Sequence, residues 1–155
     1  MYKNIAISLF FFLGSAMLSA QVNLLPIFSD NMVLQQQTNA PIWGEAQPMK
    51  TVKVTTSWDG KTYAVQADKA GKWKVTVHTP VAGGPYEIAL TDGKKVSLKN
   101  VMIGEVWICS GQSNMTHNLG RHTERYTKEI TEANYPEIRQ FYVPEKAVLA
   151  GPVED

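Results

Sequence analysis

A serine stands where an apolar run ends. Residues 101–109 are apolar except for Gly104 and Glu105, and Gly111-Gln112-Ser113-Asn114-Met115 follows them. A serine hydroxyl is a weak nucleophile until a base, usually a histidine, takes its proton. Backbone N–H groups at a helix start can then stabilise the oxyanion. A strand buried on both faces reads as a continuous apolar run. A Gly beside a Ser just past its end predicts a sharp strand-to-helix turn at the carboxyl edge of a parallel sheet, where ligands bind in open α/β sheets. Ser113 is therefore the candidate catalytic nucleophile. The local text is not the Gly-x-Ser-x-Gly elbow of α/β-hydrolases, and spacing alone favours an ordinary turn serine over a nucleophile. Gln112 and Asn114 either support the oxyanion and substrate or cap and fix the turn.

Other chemistry-bearing residues have weaker claims. The histidines are His78, His117 and His122. His78 falls on the expected wet face of a strand. His117 lies four residues after Ser113 and would share its face on a helix. His122 lies in a polar, loop-like stretch. The single cysteine, Cys109, has no internal disulfide partner and is expected as a small buried core residue. No Cys/His cluster has metal spacing and no Gly-rich loop suits a phosphate, so no metal and no cofactor are expected. Glu105 is expected to bind backbone near a domain junction rather than to catalyse. Trp43 and Trp73 read as core; Trp58, beside an Asp-Gly turn, is the candidate glycan contact, with hairpin packing as its competing role.

The elements that must position these residues fall into two parts. From about residue 24 to 100 the pattern has period two. Val52, Val54, Thr56 and Trp58 alternate with polar residues, as do Tyr63, Val65 and Ala67, then Trp73, Val75 and Val77, then Tyr86, Ile88 and Leu90. Asp59-Gly60, Ala70-Gly71 and Asp92-Gly93 mark turns. Short alternating strands at this spacing predict an antiparallel β-sandwich over residues 21–100.

At about residue 101 the alternation gives way to the apolar run. Residues 114–133 are expected as helix followed by loop, and residues 138–143 as a second strand stopped by Pro144. Strand, helix, strand is the start of an α/β unit, so a domain boundary is expected near Asn100. One parallel pair with one crossover cannot bury both sheet faces. Residues 101–155 amount to about a quarter of a normal α/β domain, so the chain reads as the N-terminal part of a longer protein.

Residues 1–20 differ from the rest. Lys3 is the only charged side chain before Asp30, the following stretch is almost wholly apolar, and Ser19-Ala20 closes it with small residues. This is the pattern of a secretory signal peptide, shorter in its apolar run than the ~20 residues of a spanning helix. It predicts export to the periplasm or the extracellular space, with no membrane span after cleavage. The formal net charge of +1 over 155 residues gives no sign of a nucleic-acid partner.

The string Gly104-Glu105-Val106-Trp107-Ile108-Cys109-Ser110-Gly111-Gln112-Ser113-Asn114-Met115 closely resembles the first block of the sialate O-acetylesterase family, a branch of the SGNH hydrolases related to acetyl xylan esterases. Leu25-Pro26-Ile27-Phe28-Ser29-Asp30-Asn31-Met32-Val33-Leu34-Gln35 resembles its N-terminal signature. Similar text recurs at Pro41-Ile42-Trp43-Gly44, Gly71-Lys72-Trp73, Ala82-Gly83-Gly84-Pro85-Tyr86, Tyr135-Pro136-Glu137-Ile138-Arg139 and Phe141-Tyr142-Val143-Pro144. The resemblance covers about residues 24–150.

This resemblance implies a β-sandwich-like N-terminal region followed by the start of a flavodoxin-like α/β SGNH domain, incomplete in these 155 residues. It implies removal of O-acetyl groups from sugars, notably sialic acids, so the expected partner is an O-acetylated carbohydrate. It makes Ser113 the nucleophile, with its backbone N–H in the oxyanion hole. The family's base is a His in a later Asp-x-x-His motif, and no such motif occurs here. A base as near as His117 does not match the family. The chain alone is therefore expected to be inactive. Two alternatives are a carbohydrate-binding β-sandwich module without catalysis and a sandwich that only supports a hydrolase domain.

Overall fold

The computed structural model describes residues 21–144. The expected signal peptide, residues 1–20, lies outside the described residues, as do residues 145–155. The described chain is mostly β-sheet with one short helix. Eight strands come first: β1 (Asn23–Leu24), β2 (Val33–Gln35), β3 (Asn39–Glu45), β4 (Thr51–Thr56), β5 (Thr62–Gln66), β6 (Lys72–His78), β7 (Gly83–Thr91) and β8 (Lys95–Gly104). Two 3-10 turns, Ser113–Thr116 and Leu119–His122, precede α1 (Thr123–Glu132).

The strands form two sheets. One has the order β1-β3-β6 and is antiparallel; the other has the order β2-β8-β7-β4-β5. Its pairs are antiparallel except β2 with β8, which run parallel in the register Val33↔Met102, Leu34↔Ile103, Gln35↔Gly104. Strict alternation gives three strands one buried face each: Ala40, Ile42 and Gly44 in β3, Trp73, Val75 and Val77 in β6, Val52, Val54 and Thr56 in β4. The buried side chains of both sheets join in one hydrophobic cluster. Each fully buried Val, Leu or Ile contributes about 1.5–3 kcal/mol relative to exposure. Trp73 lies in this core, whereas Trp43 falls on the opposite phase of β3. It is 36% exposed and packs edge-on against Phe28, so its expected core role is corrected.

The turn chemistry follows the sequence with one adjustment. The β4–β5 connection closes through Thr56 N–H to Lys61 O and so holds four residues, 57–60, not the two of a tight Asp-Gly hairpin. Asp59 accepts from the Thr56 hydroxyl at 2.6 Å and the Lys61 N–H at 3.1 Å, and only Gly60 of the pair takes positive φ. Burial pushes the Asp59 carboxyl up, but these hydrogen bonds and the Lys61 charge together hold it below its usual value. Gly71 turns the chain from β5 into β6 at φ +84, and a Cβ there would stand 2.5 Å from Ala46 O.

The change of period near residue 101 has a local cause. Strand β8 runs unbroken through Asn100 to Gly104. Asn100 adopts φ 54, and the pairing with β7 shifts between Tyr86↔Val101 and Ile88↔Leu98. An extra residue in one strand reverses which side chains face inward. Val96 and Leu98 face the core before the bulge; Val101 and Ile103 do so after it, at 0% and 2% exposure. The backbone groups that the bulge frees are taken up locally: Lys99 N–H donates to Asp30 Oδ1 at 2.7 Å, and Asn31 N–H donates to Lys99 O at 3.0 Å.

Beyond Gly104 the expectations are corrected in three places. Residues 105–112 form no strand, and Val106, Trp107 and Ile108 are exposed, Ile108 to 94%. Cys109 is exposed rather than buried. Residues 138–143 form no strand. A doubly buried strand needs neighbours on both edges and layers on both faces, and the described residues supply neither here. The helix comes last in its stretch, after the two turns. It is interrupted at Tyr126 (φ −120, ψ 28), and Thr131 Oγ1 bonds back to Thr127 O at 2.7 Å, a contact that bends helices.

Candidate active site

Ser113 is the first residue of a 3-10 turn, Ser113–Thr116, and no strand of the described residues leads into it, so the expected strand-to-helix turn at a parallel sheet edge is corrected. The turn is closed by backbone: Met115 N–H donates to Gln112 O at 2.9 Å, and His117 N–H donates to Asn114 O at 3.3 Å. No side chain caps it. Gln112 and Asn114 thus support the turn through their carbonyls, and their exposed side chains remain available to solvent or a ligand. A Cβ at Gly111 would lie 2.7 Å from Cγ of the exposed Met115 side chain, which would have to shift. Ser113 itself is exposed.

His117 does not share a helical face with Ser113. The turn ends at Thr116, and His117 is extended at φ −77, ψ 111. Its ring lies 5.9 Å from that of His122. His78 is exposed on β6 with Asn39 Oδ1 3.4 Å from its Nδ1. A shallow depression at the start of α1 is lined by Arg121, His122, Thr123, Glu124 and Arg125, without Ser113. Trp58 is half-buried: its indole N–H donates to His78 O at 3.0 Å, and its ring packs edge-on to Tyr86 at 5.7 Å. Both contacts lie outside its own β4–β5 hairpin, on β6 and β7. Among the described residues no group of three or more His, Cys, Asp or Glu could hold a metal ion, and no helix is long and apolar enough to cross a membrane.

Glu105 binds side chains rather than backbone. Its Oε1 accepts from Gln36 Nε2 at 2.6 Å and its Oε2 from Gln35 Nε2 at 3.1 Å. The Gln36 bond, then the Gln35 bond, hold its carboxyl below the usual glutamate range. Both amide oxygens are also engaged: Gln35 Oε1 accepts from Val106 N–H and Gln36 Oε1 from Ala82 N–H, each at 2.8 Å. On the return from α1, Arg139 donates to the Asn100 carbonyl, to Asn100 Oδ1 at 3.1 Å and to Met32 O at 3.4 Å. Residue types and spacing do not single out Gln35, Gln36, Asn100 or Arg139. Their one visible signal is the polar pair that ends the apolar triplet Met32-Val33-Leu34.

No family model matches the chain. Curated relatives do. The sialate O-acetylesterase of Mus musculus is 32% identical over 128 residues, covering 75% of this chain. That of Homo sapiens is 37% identical over 97 residues, covering 56% of it. A solved structure described as a novel carbohydrate acetylesterase from Xanthomonas citri matches 80% of this chain with a TM-score of 0.73 and 34% identity. The chain belongs to a sialate O-acetylesterase-like esterase family. It spans 24% of the length of the mouse relative, 18% of the human one and 28% of the Xanthomonas chain.

Proposed function

We propose that this chain is the N-terminal part of an exported serine esterase that removes O-acetyl groups from carbohydrate, sialic acids foremost. The observation that carries the reading is the 34% identity and TM-score of 0.73 to a structure described as a carbohydrate acetylesterase, joined by relatives named sialate O-acetylesterase. In this reading the two sheets pack as a β-sandwich over residues 21–100, and residues 101–155 open an SGNH domain of α/β type. Residues 1–20 direct export.

Ser113 is the nucleophile. Its Oγ attacks the acetyl carbonyl as a base removes the hydroxyl proton, and the sugar oxygen leaves with a proton. Water then attacks the acetyl-enzyme and releases acetate. Backbone N–H groups at the head of the Ser113 turn are the donors for the developing oxyanion in this reading. The base and its orienting carboxylate belong to the remainder of the protein, whose longer relatives have room for them, and the 155-residue chain is inactive by itself. The exposed apolar residues Val106, Trp107, Ile108, Phe141 and Val143 fit this reading as one side of a core that further chain completes.

The test is hydrolysis of a small chromogenic acetyl ester. It compares this chain, the chain extended by the rest of its reading frame, and the extended chain with Ser113→Ala. Activity only in the extended protein, lost with Ser113→Ala, supports the reading. Glycan binding without hydrolysis, lost on Trp58→Ala and kept on Ser113→Ala, would replace it with a binding module.

A further inference from the structure

Strand β2 is three residues long and lies at a sheet edge, yet the polar residues around it hold both ends of the segment that carries Ser113. At one end of the parallel ladder Gln35 faces Gly104, and the next residue of β8's chain, Glu105, is gripped by Gln35 and Gln36. At the other end Met32 precedes Val33↔Met102, and Arg139 binds the Met32 and Asn100 carbonyls. Three strand residues separate the two ends, about 10 Å.

The bulge completes the second grip. Asn100 Oδ1 accepts from Arg139, and Asn100 Nδ2 donates to Asn31 Oδ1 at 2.7 Å. Asn31 and Asn100 both take positive φ, which turns their amides toward each other and toward the guanidinium. Planar Arg suits this site because several of its donors point in fixed directions at neighbouring oxygens.

We infer that residues 30–36 and Asn100 of the bulge form a two-point clasp for the segment 106–138, holding its departure through Glu105 and its return through Arg139, and so setting where Ser113 stands relative to the β core. Glu105, Gln35, Gln36 and Arg139 are positioning residues. Almost all of residues 105–144 are exposed, so hydrophobic packing against the core does not orient this segment, and charge-assisted hydrogen bonds to β2 and the bulge take that role. The consequence for catalysis rests on the esterase reading; the clasp does not.

The protein supplies its own probe site, because Cys109 is its sole cysteine, exposed, and inside the clasped segment. A spin label there is paired with one at Lys53→Cys on the exposed face of β4, and the distance distribution is measured by pulsed electron paramagnetic resonance. One narrow distribution is expected. Glu105→Ala combined with Arg139→Ala should broaden it about twofold or more while the thermal unfolding of the core stays cooperative. Exchanging the partners, Glu105→Gln with Gln36→Glu, restores an amide–carboxylate pair and should return the width to that of the parent. A distribution already broad in the parent, unchanged in the double variant, or not narrowed by the exchange overturns the clasp.

In the extended protein, Glu105→Ala should lower kcat about 10- to 100-fold with KM little changed, the pattern of a misplaced reacting group. Unchanged kcat overturns the positioning role. If Ser113→Ala leaves hydrolysis intact, the esterase reading fails alone, and the distance measurement still decides the clasp.

Discussion

Residues 21–104 and residues 105–144 have similar kinds of apolar residue and opposite fates. In the first region Ile42, Val52, Val54, Val77, Ile88, Leu90 and Val101 are sealed at 0% exposure between two sheets. In the second, Trp107, Ile108, Ile138, Phe141, Tyr142 and Val143 face outward, and Tyr126 and Arg139 are half-buried. The difference lies in partners rather than in hydrophobicity. An alternating strand in a hairpin meets its neighbours within a few residues. A run such as 101–109 needs layers on both faces, and the described residues provide a neighbour only as far as Gly104. Where apolar contacts are missing, polar ones hold the chain, at Glu105 and Arg139.

Substitutions in both regions test whether partners make the difference. In the extended protein Ser113→Ala should lower kcat about a thousandfold or more, read from acetyl-ester hydrolysis, with the unfolding of the β region unchanged. In the chain as described, Ile88→Ala should cost about 2–5 kcal/mol, measured by urea unfolding, because it leaves a cavity in a sealed core. Thr79→Val should cost about 1–3 kcal/mol: the Thr79 hydroxyl is fully buried, donates to Gln35 O at 2.7 Å and accepts from Thr38 N–H at 3.1 Å. Trp107→Ala and Ile108→Ala should change stability by no more than about 0.5 kcal/mol despite their size. A large loss at either would mean that the outer segment is packed after all.

The smallest effect is a pH response of the clasp. The Glu105 carboxyl is held below its ordinary value by Gln36 and Gln35, so the charged form is the one that the folded clasp favours. That preference is fully present above the ordinary glutamate range, about 4.3, and is lost as pH falls through the depressed value. The Cys109–Lys53 distance distribution should therefore broaden at acid pH, and Glu105→Gln should remove the dependence.

The strands, their buried faces and most turns are legible in the order of residues, because period-two alternation and Asp-Gly or Ala-Gly pairs act over a few residues. Ser113 at the head of a turn is legible for the same reason. The Asn100 bulge shows in the sequence only as a change of period, because a one-residue insertion in a strand resets the alternation. Nothing local marks Trp43 as outward; its phase is set by pairing with β6, where Gly44 lies opposite Trp73.

Sequence by itself determined the two sequence regimes, the β-rich first part, the candidate nucleophile and the family resemblance. Each rests on residue types, periodicity and short motifs. Tertiary structure alone decided that β2 runs parallel to β8, that the bulge carries β8 four residues past the change of period, and that Gln35, Gln36 and Asn100 grip Glu105 and Arg139. Those contacts join residues tens of positions apart. Their energy depends on which groups the folded chain brings within hydrogen-bond distance, which no local pattern of residues specifies.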